Sequence, residues 1–528
     1  MDAWWVRKRS WPACLVAGSA LFLIARVGRS DLIYFRGGGQ AQVEVVEEDG
    51  RMMLDLPEGR LELHPEDIIR RVRGSCPAQE WESRLRAAQA SGMAARHGAV
   101  WWAIENGLTI EAAGELRGLR AIDSSHAPTA RMVAMLDKLE QPCPDPECAA
   151  FQSALGVEMK VARGPHVLLL HQHDDAEAQE RLEMLERVVM GFHLLFAAEG
   201  FELRVPRHRL VSAWFAERRD YLAFLHRQGA DAFATTGGYF HPTWEAVVAW
   251  DARSGDRQRA ARAMLSARRI ELREVAAGLD ELSAKGRLRL KLGSEPARMV
   301  GRSEGRIWLG RLERETAYRT LLLDLEWRAF DLGLAAHEMV HQLAADSGLA
   351  SRHDAFPFWL HEGLAAQFEV VRGGRWAGIS RANDLRLPDW RTSRPSPRLE
   401  KLLRDAGFGH GYQRTLYAQA WALVYYLRMR HPAEFVTFLD LLRNPDETGE
   451  MGLPSGQEAR GERTVAVFRR AFGEDIGGVE RDWHAFMAEI RTPLELHSPR
   501  SGAPGHRRTV IRPAAMTTTD SPPNAARS

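Results

Sequence analysis

Cysteine is scarce, with only four in 528 residues. That excludes a disulfide-dense secreted scaffold. An excess of one charge is also missing. Against 71 basic residues stand 70 acidic ones, a formal net charge of +1, so nothing argues for nucleic acid as a partner. Arginine far outnumbers lysine, a compositional bias rather than a phosphate-binding device. What is present is ordinary globular material, 45% apolar and 27% charged. At this length it supplies core for about two to four domains.

The two ends differ from the middle. Arg7, Lys8 and Arg9 precede an apolar run from Trp11 to Ala25, the layout of a secretory signal. The run falls short of the ~20 residues a spanning helix needs, although Arg26 can snorkel and Val27 extend it. No good small-x-small cleavage site follows. Residues 1–30 are therefore expected to be a signal peptide or an uncleaved membrane anchor. The protein is then exported: periplasmic, cell-surface or secreted. Cys14 lies inside the run, which disfavours a lipoprotein signal. Cys143 and Cys148 flank a Pro-Asp-Pro-Glu turn that suits either a small disulfide loop or two free thiols, and Cys76 is left over. A second metal site there would need two further ligands, and none is apparent. After residue 495 Pro, Ser, Thr, Gly and Arg dominate, so 496–528 is expected to be a disordered tail.

Between the ends the pattern changes twice. Over 31–75, apolar and polar residues alternate in runs at 42–48, 52–56 and 60–64, with Asp49-Gly50 as a hairpin signal. This predicts a small β module, with a barrel as one closure. Residues 76–141 read as a helical connector. Trp101-Trp102-Ala103, Ile110 to Ala113 and the Asp123 to Pro128 junction loosely resemble a tetratricopeptide-like pair, too few repeats for a solenoid. Residues 142–495 then form the main domain.

That domain carries His337-Glu338-Met339-Val340-His341. Residues four apart on an α-helix share a face, so both imidazoles can address one ion, and Glu338 is placed to take a proton from water beside it. Leu332, Ala336, Met339, Val340 and Leu343 supply the buried stripe and Gly348 a stop, while Gly333, near the start, leaves the N-terminal boundary of the helix less sharply defined. Pro357 opens a second short helix through Trp359, Leu360, Leu364, Ala365 and Phe368. Glu362 in its first turns completes a His, His, Glu set with a fourth position left for water. Asp346 and Glu369 are candidates to hold a ligand histidine by its other nitrogen. His361 is expected outside the ligand set.

The blocks HEMVH and WLHEGLAAQFE resemble those of gluzincin zinc peptidases, in particular aminopeptidase-N-like enzymes. The resemblance implies an α+β, thermolysin-like domain, mostly helical around one Zn2+ per chain, with a small upstream sheet. His337, His341 and Glu362 would be the ligands, Glu338 the general base, and peptide the substrate. It also implies a downstream Tyr that stabilises the tetrahedral intermediate. Tyr417 is the candidate, with Tyr412, Tyr425 and Tyr426 close by. The gap between His341 and Glu362 is two residues longer than in those enzymes, an insertion that Ser347 to Phe356 can absorb.

Their G-x-M-E-N block, which binds a substrate amine, has no counterpart here. Gly237 to Trp244 instead leads into a strand over Glu245 to Trp250, suited to pairing with extended substrate. Residues 160–430 are more similar to an uncharacterised, peptidase-MA-like domain family of exported bacterial proteins, which shares these blocks and a Y-A-Q-x-W helix at Tyr417 to Trp421. Two alternatives stay open: a non-catalytic exported scaffold braced by zinc, and a hydrolase of non-protein amides such as cell-wall peptides. Histidine ligation is expected to fail as protons compete at low pH.

Overall fold

A computed structural model describes residues 29–497 apart from 57–58, 75–76, 284, 291–297, 351–355, 394–397, 409–413 and 445–456. The apolar N-terminal run, Cys14, Cys76, Tyr412, the centre of the 347–356 loop and the tail from 498 lie outside these residues. No described helix is long and apolar enough to cross a membrane. The chain is α+β, mostly helical with small sheets.

β1 (Arg29–Phe35), β2 (Gln40–Glu48), β3 (Arg51–Leu56), β4 (Gly59–Leu63) and β5 (Ile68–Val72) form one antiparallel sheet in the order β4-β3-β2-β1-β5. The β2–β3 turn places Asp49 and Gly50 at φ 51° and 76°, the left-handed pair that matches the twist of a tight hairpin. The barrel is not formed: β4 and β5 end the sheet without pairing to each other among the described residues. Its apolar face (Ile33, Phe35, Val43, Leu54) is covered instead by Tyr318 and Leu321 of a long helix.

Helices α1 (Pro77–Ser91), α2 (Met93–Glu105), α3 (Thr109–Ile122) and α4 (Ala127–Leu139) follow, each packed on the next. After α5 (Ala149–Leu155), a second sheet is built from β6 (Lys160–Arg163), β7 (Val167–His171), β8 (Leu210–Phe215), β9 (Gly238–His241) and β10 (Ala246–Trp250). Its order is β6-β7-β8-β10-β9, with β7, β8 and β10 parallel and the antiparallel β9 at one edge. Helix α6 (Asp175–Glu199) covers one face and α7 (Arg218–Gln228) the other. Burial on both faces explains why β7, β8 and β10 read as near-continuous apolar runs, broken only by Ser212 in β8 and ending on His171 in β7.

Helix α8 (Asp256–Glu281) and the hairpin β11 (Leu288–Leu290) and β12 (Arg298–Val300) lead to α9 (Arg302–Asp346), 45 residues long. Gly333, expected near the start of this helix, lies deep inside it. A Cβ there would meet the Glu369 carbonyl at 2.7 Å, so the glycine permits a close crossing and breaks nothing. The stop falls where expected, with Gly348 at φ 77°.

Beyond α9 come α10 (Phe358–Ala365), a small β13–β14 ribbon (Val371–Arg372, Arg375–Trp376), α11 (Arg386–Thr392) and α12 (Leu399–Leu403). The chain closes with α13 (Arg414–Arg430), α14 (Pro432–Arg443), α15 (Gln457–Phe472), α16 (Ile476–Glu489) and α17 (Pro493–Leu496). One apolar cluster runs from Trp81 on α1 to Met487 on α16. Helix α4 lies along α6, so the helices over 77–139 share the core that holds α9 and α10.

Candidate metal centre

Two helices bring the motif residues together, and side chains distant in sequence fix each helix. On α9, Gln342 Nε2 donates to the Val211 and Glu245 carbonyls at 3.3 and 2.7 Å, tying the helix to the start of β8 and the turn before β10. On α10, the first-turn N–H groups of Phe358 and Trp359 donate to the Asp405 carboxylate at 2.8 and 2.9 Å, a cap supplied from another segment. Gly363 then lets α10 touch α13: a Cβ there would lie 2.6 Å from the Ala420 carbonyl oxygen and 2.5 Å from Val424 Cγ2. The glycine beside Glu362 is a packing residue.

The result is a convergence of donors. His337 Nε2 lies 3.0 Å from His341 Nε2 and 3.0 Å from Glu362 Oε2, and His341 Nε2 lies 3.6 Å from Glu362 Oε1. Four-coordinate zinc with bonds of about 2.0–2.1 Å separates its ligand atoms by ~3.3 Å, and the two imidazole nitrogens and the two Glu362 oxygens lie at spacings close to that. Two imidazole nitrogens and a carboxylate oxygen are also the chemistry that zinc takes. His337, Glu338 and Glu362 are only 6%, 7% and 8% exposed.

Burial penalises every charge in this site, and the partners decide the outcome. Against that penalty, Glu362 and Glu369 raise the His337 pKa well above 6.5. His341 and His337 in turn hold the Glu362 carboxyl below the usual range. For Glu338 burial wins: its pKa is raised despite the two histidines and a hydrogen bond from the Phe240 backbone N–H of β9. Glu338 is thus a buried carboxylate beside three potential ligands, with a pKa above the usual carboxylate range.

The Nδ1 of His337 meets Glu369 Oε1 at 2.8 Å, which leaves Nε2 facing Glu362 and His341. Of the two carboxylates expected around the ligands, Glu369 is the one on His337; Asp346 lies in the last turn of α9, near enough to Cys143 to bear on its thiol. Sequence spacing missed the residues behind Glu369, Asn383 and Arg386, because no periodicity links them to it. His361 stands outside the ligand set, its ring 6.2 Å from that of His341, and burial lowers its pKa to about 4. Tyr417 packs its ring against Phe358 and Phe408, with the Arg386 guanidinium over it at 5.6 Å. Tyr425 and Tyr426 are buried core residues.

Cys143 and Cys148 are both free thiols. A second grouping, His173, Glu177 and Asp251, also gathers its donor atoms within 4.8 Å. Arg253 already donates to both of these carboxylates at 2.5–3.0 Å, so the grouping is a salt-bridge cluster closed by arginine.

Residues 332–445 match DUF1570, a protein family of unknown function. The match opens just before the H-E-x-x-H motif and takes in α10, α11 and α13, so it covers the convergent residues and their packing partners. No curated protein and no solved structure matches the chain.

Proposed function

We propose that the protein is a zinc-dependent hydrolase of peptide bonds, a metallopeptidase of gluzincin type, with His337, His341 and Glu362 as ligands and Glu338 as general base. The observation that carries this reading is the convergence of three donors from two helices beside a fourth, buried carboxylate. Zinc, when bound, supplies a Lewis acid that lowers the pKa of water and polarises a carbonyl. Glu338 supplies the proton acceptor, and its raised pKa lets it return that proton to a leaving amine. The Phe240 N–H keeps that carboxylate oriented. β9 lies at the sheet edge beside Glu338, so its outer backbone groups suit an extended peptide.

The test is elemental analysis of the full chain with Glu362→Ala and Glu338→Gln beside it, followed by assay on a mixed peptide library. About one zinc per chain is expected in the parent and in Glu338→Gln, and none in Glu362→Ala. Hydrolysis is expected in the parent alone. A parent that takes up no zinc near neutral pH, or undiminished turnover in Glu338→Gln, removes the proposal.

One observation favours a second reading, the exported scaffold with a structural ion: two of the three ligand residues, His337 and Glu362, are almost fully enclosed. Chelation separates the two. Loss of cooperative unfolding marks a structural ion; loss of turnover with the fold intact marks a catalytic one.

A further inference from the structure

The Glu369 carboxylate has four hydrogen bonds and therefore one orientation. Oε1 takes His337 Nδ1 at 2.8 Å and Arg386 Nη2 at 2.6 Å; Oε2 takes Arg386 Nε at 2.9 Å and Asn383 Nδ2 at 3.0 Å. The arginine contact is the two-pronged fork that only a guanidinium makes. Glu369 and Asn383 are 8% and 2% exposed, so water does not compete for these bonds. Asn383 does double work, since its Oδ1 accepts the backbone N–H groups of Leu385 and Arg386 at 2.9 and 3.1 Å. The side chain that steadies Glu369 thus also shapes the backbone that presents Arg386. On its other side, Arg386 lies over the Tyr417 ring at 5.6 Å.

We propose that Arg386 is a positioning residue of the metal centre. Held between Asn383 and the face of Tyr417, it locks Glu369, and through Glu369 the His337 ring, so that Nε2 points at Glu362 and His341. The inference rests on the zinc reading given above. It has two consequences. Without the fork, Glu369 keeps only His337 and Asn383 and is free to turn about its last torsion, so the imidazole loses its fixed plane. Metal loading and the order of residues 383–392 become linked: whatever stabilises one stabilises the other. Tyr417 then bears on the metal through its ring and Arg386.

The experiment measures zinc affinity of the full chain by competition with a chromogenic chelator, for the parent, Arg386→Gln, Arg386→Lys, Tyr417→Phe and Tyr417→Leu. Hydrogen exchange of 383–392 is followed with and without zinc. Loss of a contact behind a metal ligand typically weakens binding 10–100-fold, and that is expected for Arg386→Gln. Arg386→Lys keeps the charge without the fork and should fall between. Tyr417→Phe keeps the ring beneath Arg386 and should bind zinc more tightly than Tyr417→Leu. Zinc should slow exchange over 383–392 in the parent and not in Arg386→Gln. If the parent binds zinc and a folded Arg386→Gln binds it equally well, this inference falls and the zinc reading stands. If Arg386→Gln fails to fold, an unweakened Arg386→Lys overturns the inference in its place. A parent without zinc overturns both.

Discussion

Replacing Gly363 by alanine separates packing from metal geometry in one step. The new Cβ would sit 2.6 Å from the Ala420 carbonyl oxygen and 2.5 Å from Val424 Cγ2. A backbone oxygen on the middle of α13 cannot yield as a side chain can. To restore ordinary non-bonded contact with that oxygen near ~3.5 Å, α10 must retreat by about 0.9 Å. Overpacking of this kind costs roughly 1–3 kcal/mol. Alanine returns about 1 kcal/mol through helix propensity. The net loss of stability is therefore modest, about 1 kcal/mol. The loss of metal binding is not, because Glu362 is the preceding residue and moves with α10. A ligand set tolerates departures of about 0.2 Å, so a shift of about 0.9 Å should weaken zinc binding at least ~10-fold. Chelator competition reads the affinity, and denaturant unfolding of the zinc-free protein reads the stability. Gly118→Ala on α3 is the control: nothing lies within 4 Å of its Cβ, so it should leave zinc binding alone and stabilise by up to about 1 kcal/mol. The reasoning is refuted if Gly363→Ala keeps its zinc affinity within twofold.

Other outcomes follow from the buried charges. His173 is buried with its pKa lowered to about 4, by desolvation first and Arg181 second. The folded form thus refuses a proton that the unfolded form accepts below 6.5. Stability is present above that value and declines as pH falls toward 4, by up to ~3 kcal/mol from this group. His173→Gln should flatten that limb of the pH–stability curve; an unchanged limb would sink the assignment. Asp331 is the opposite case. Burial and the Asp251 carboxylate outweigh Arg181 and raise its pKa to about 8. The folded state holds this proton more tightly, so its contribution is full below about 4 and is lost as pH rises through 8. Asp331→Asn keeps the acceptor for the Ala252 N–H. It should gain stability over the parent progressively from pH 5 to pH 8, measured by chemical denaturation, and a constant difference across that range would count against the argument. Glu338→Gln, finally, should bind zinc like the parent while hydrolysing nothing.

How far the sequence revealed this arrangement depends on where each element's information resides. The short helix at Phe358–Ala365 was legible because Pro357 and an apolar stripe are local signals, although the stripe carried the expectation on to Phe368, where the last turn tightens into a 3-10 helix over Ala366–Phe368. The Asp49-Gly50 hairpin was legible because left-handed backbone selects its residues. The length of α9 was not. Gly305, Gly310 and Gly333 look like interruptions, yet Gly305 packs on Leu279 and Gly333 on the Glu369 backbone, contacts that exist only once the chain has folded. The barrel expectation failed for a related reason. A half-apolar sheet must be covered, but alternation within the sheet does not say whether another strand or a distant helix covers it.

The site divides along the same line. Its donors were legible because H-E-x-x-H is a periodicity, and periodicity is a property of one helix. Their convergence depends on how two helices cross, and that information is carried by what the chain omits: no Cβ at Gly333 against Glu369, none at Gly363 against Ala420. One glycine lets α9 approach the residue that holds His337; the other lets α10 settle where Glu362 reaches both imidazoles. The glycine of the E-G-x-A block is therefore a geometric requirement for the placement of the carboxylate before it. Arg386 and Asn383 left no such trace, since an arginine fork on a carboxylate seventeen residues away obeys no local spacing. Residues of that kind become visible only when each buried charge is asked what holds it, and at Glu369 the answer is a structure built around His337, one of the three convergent donors.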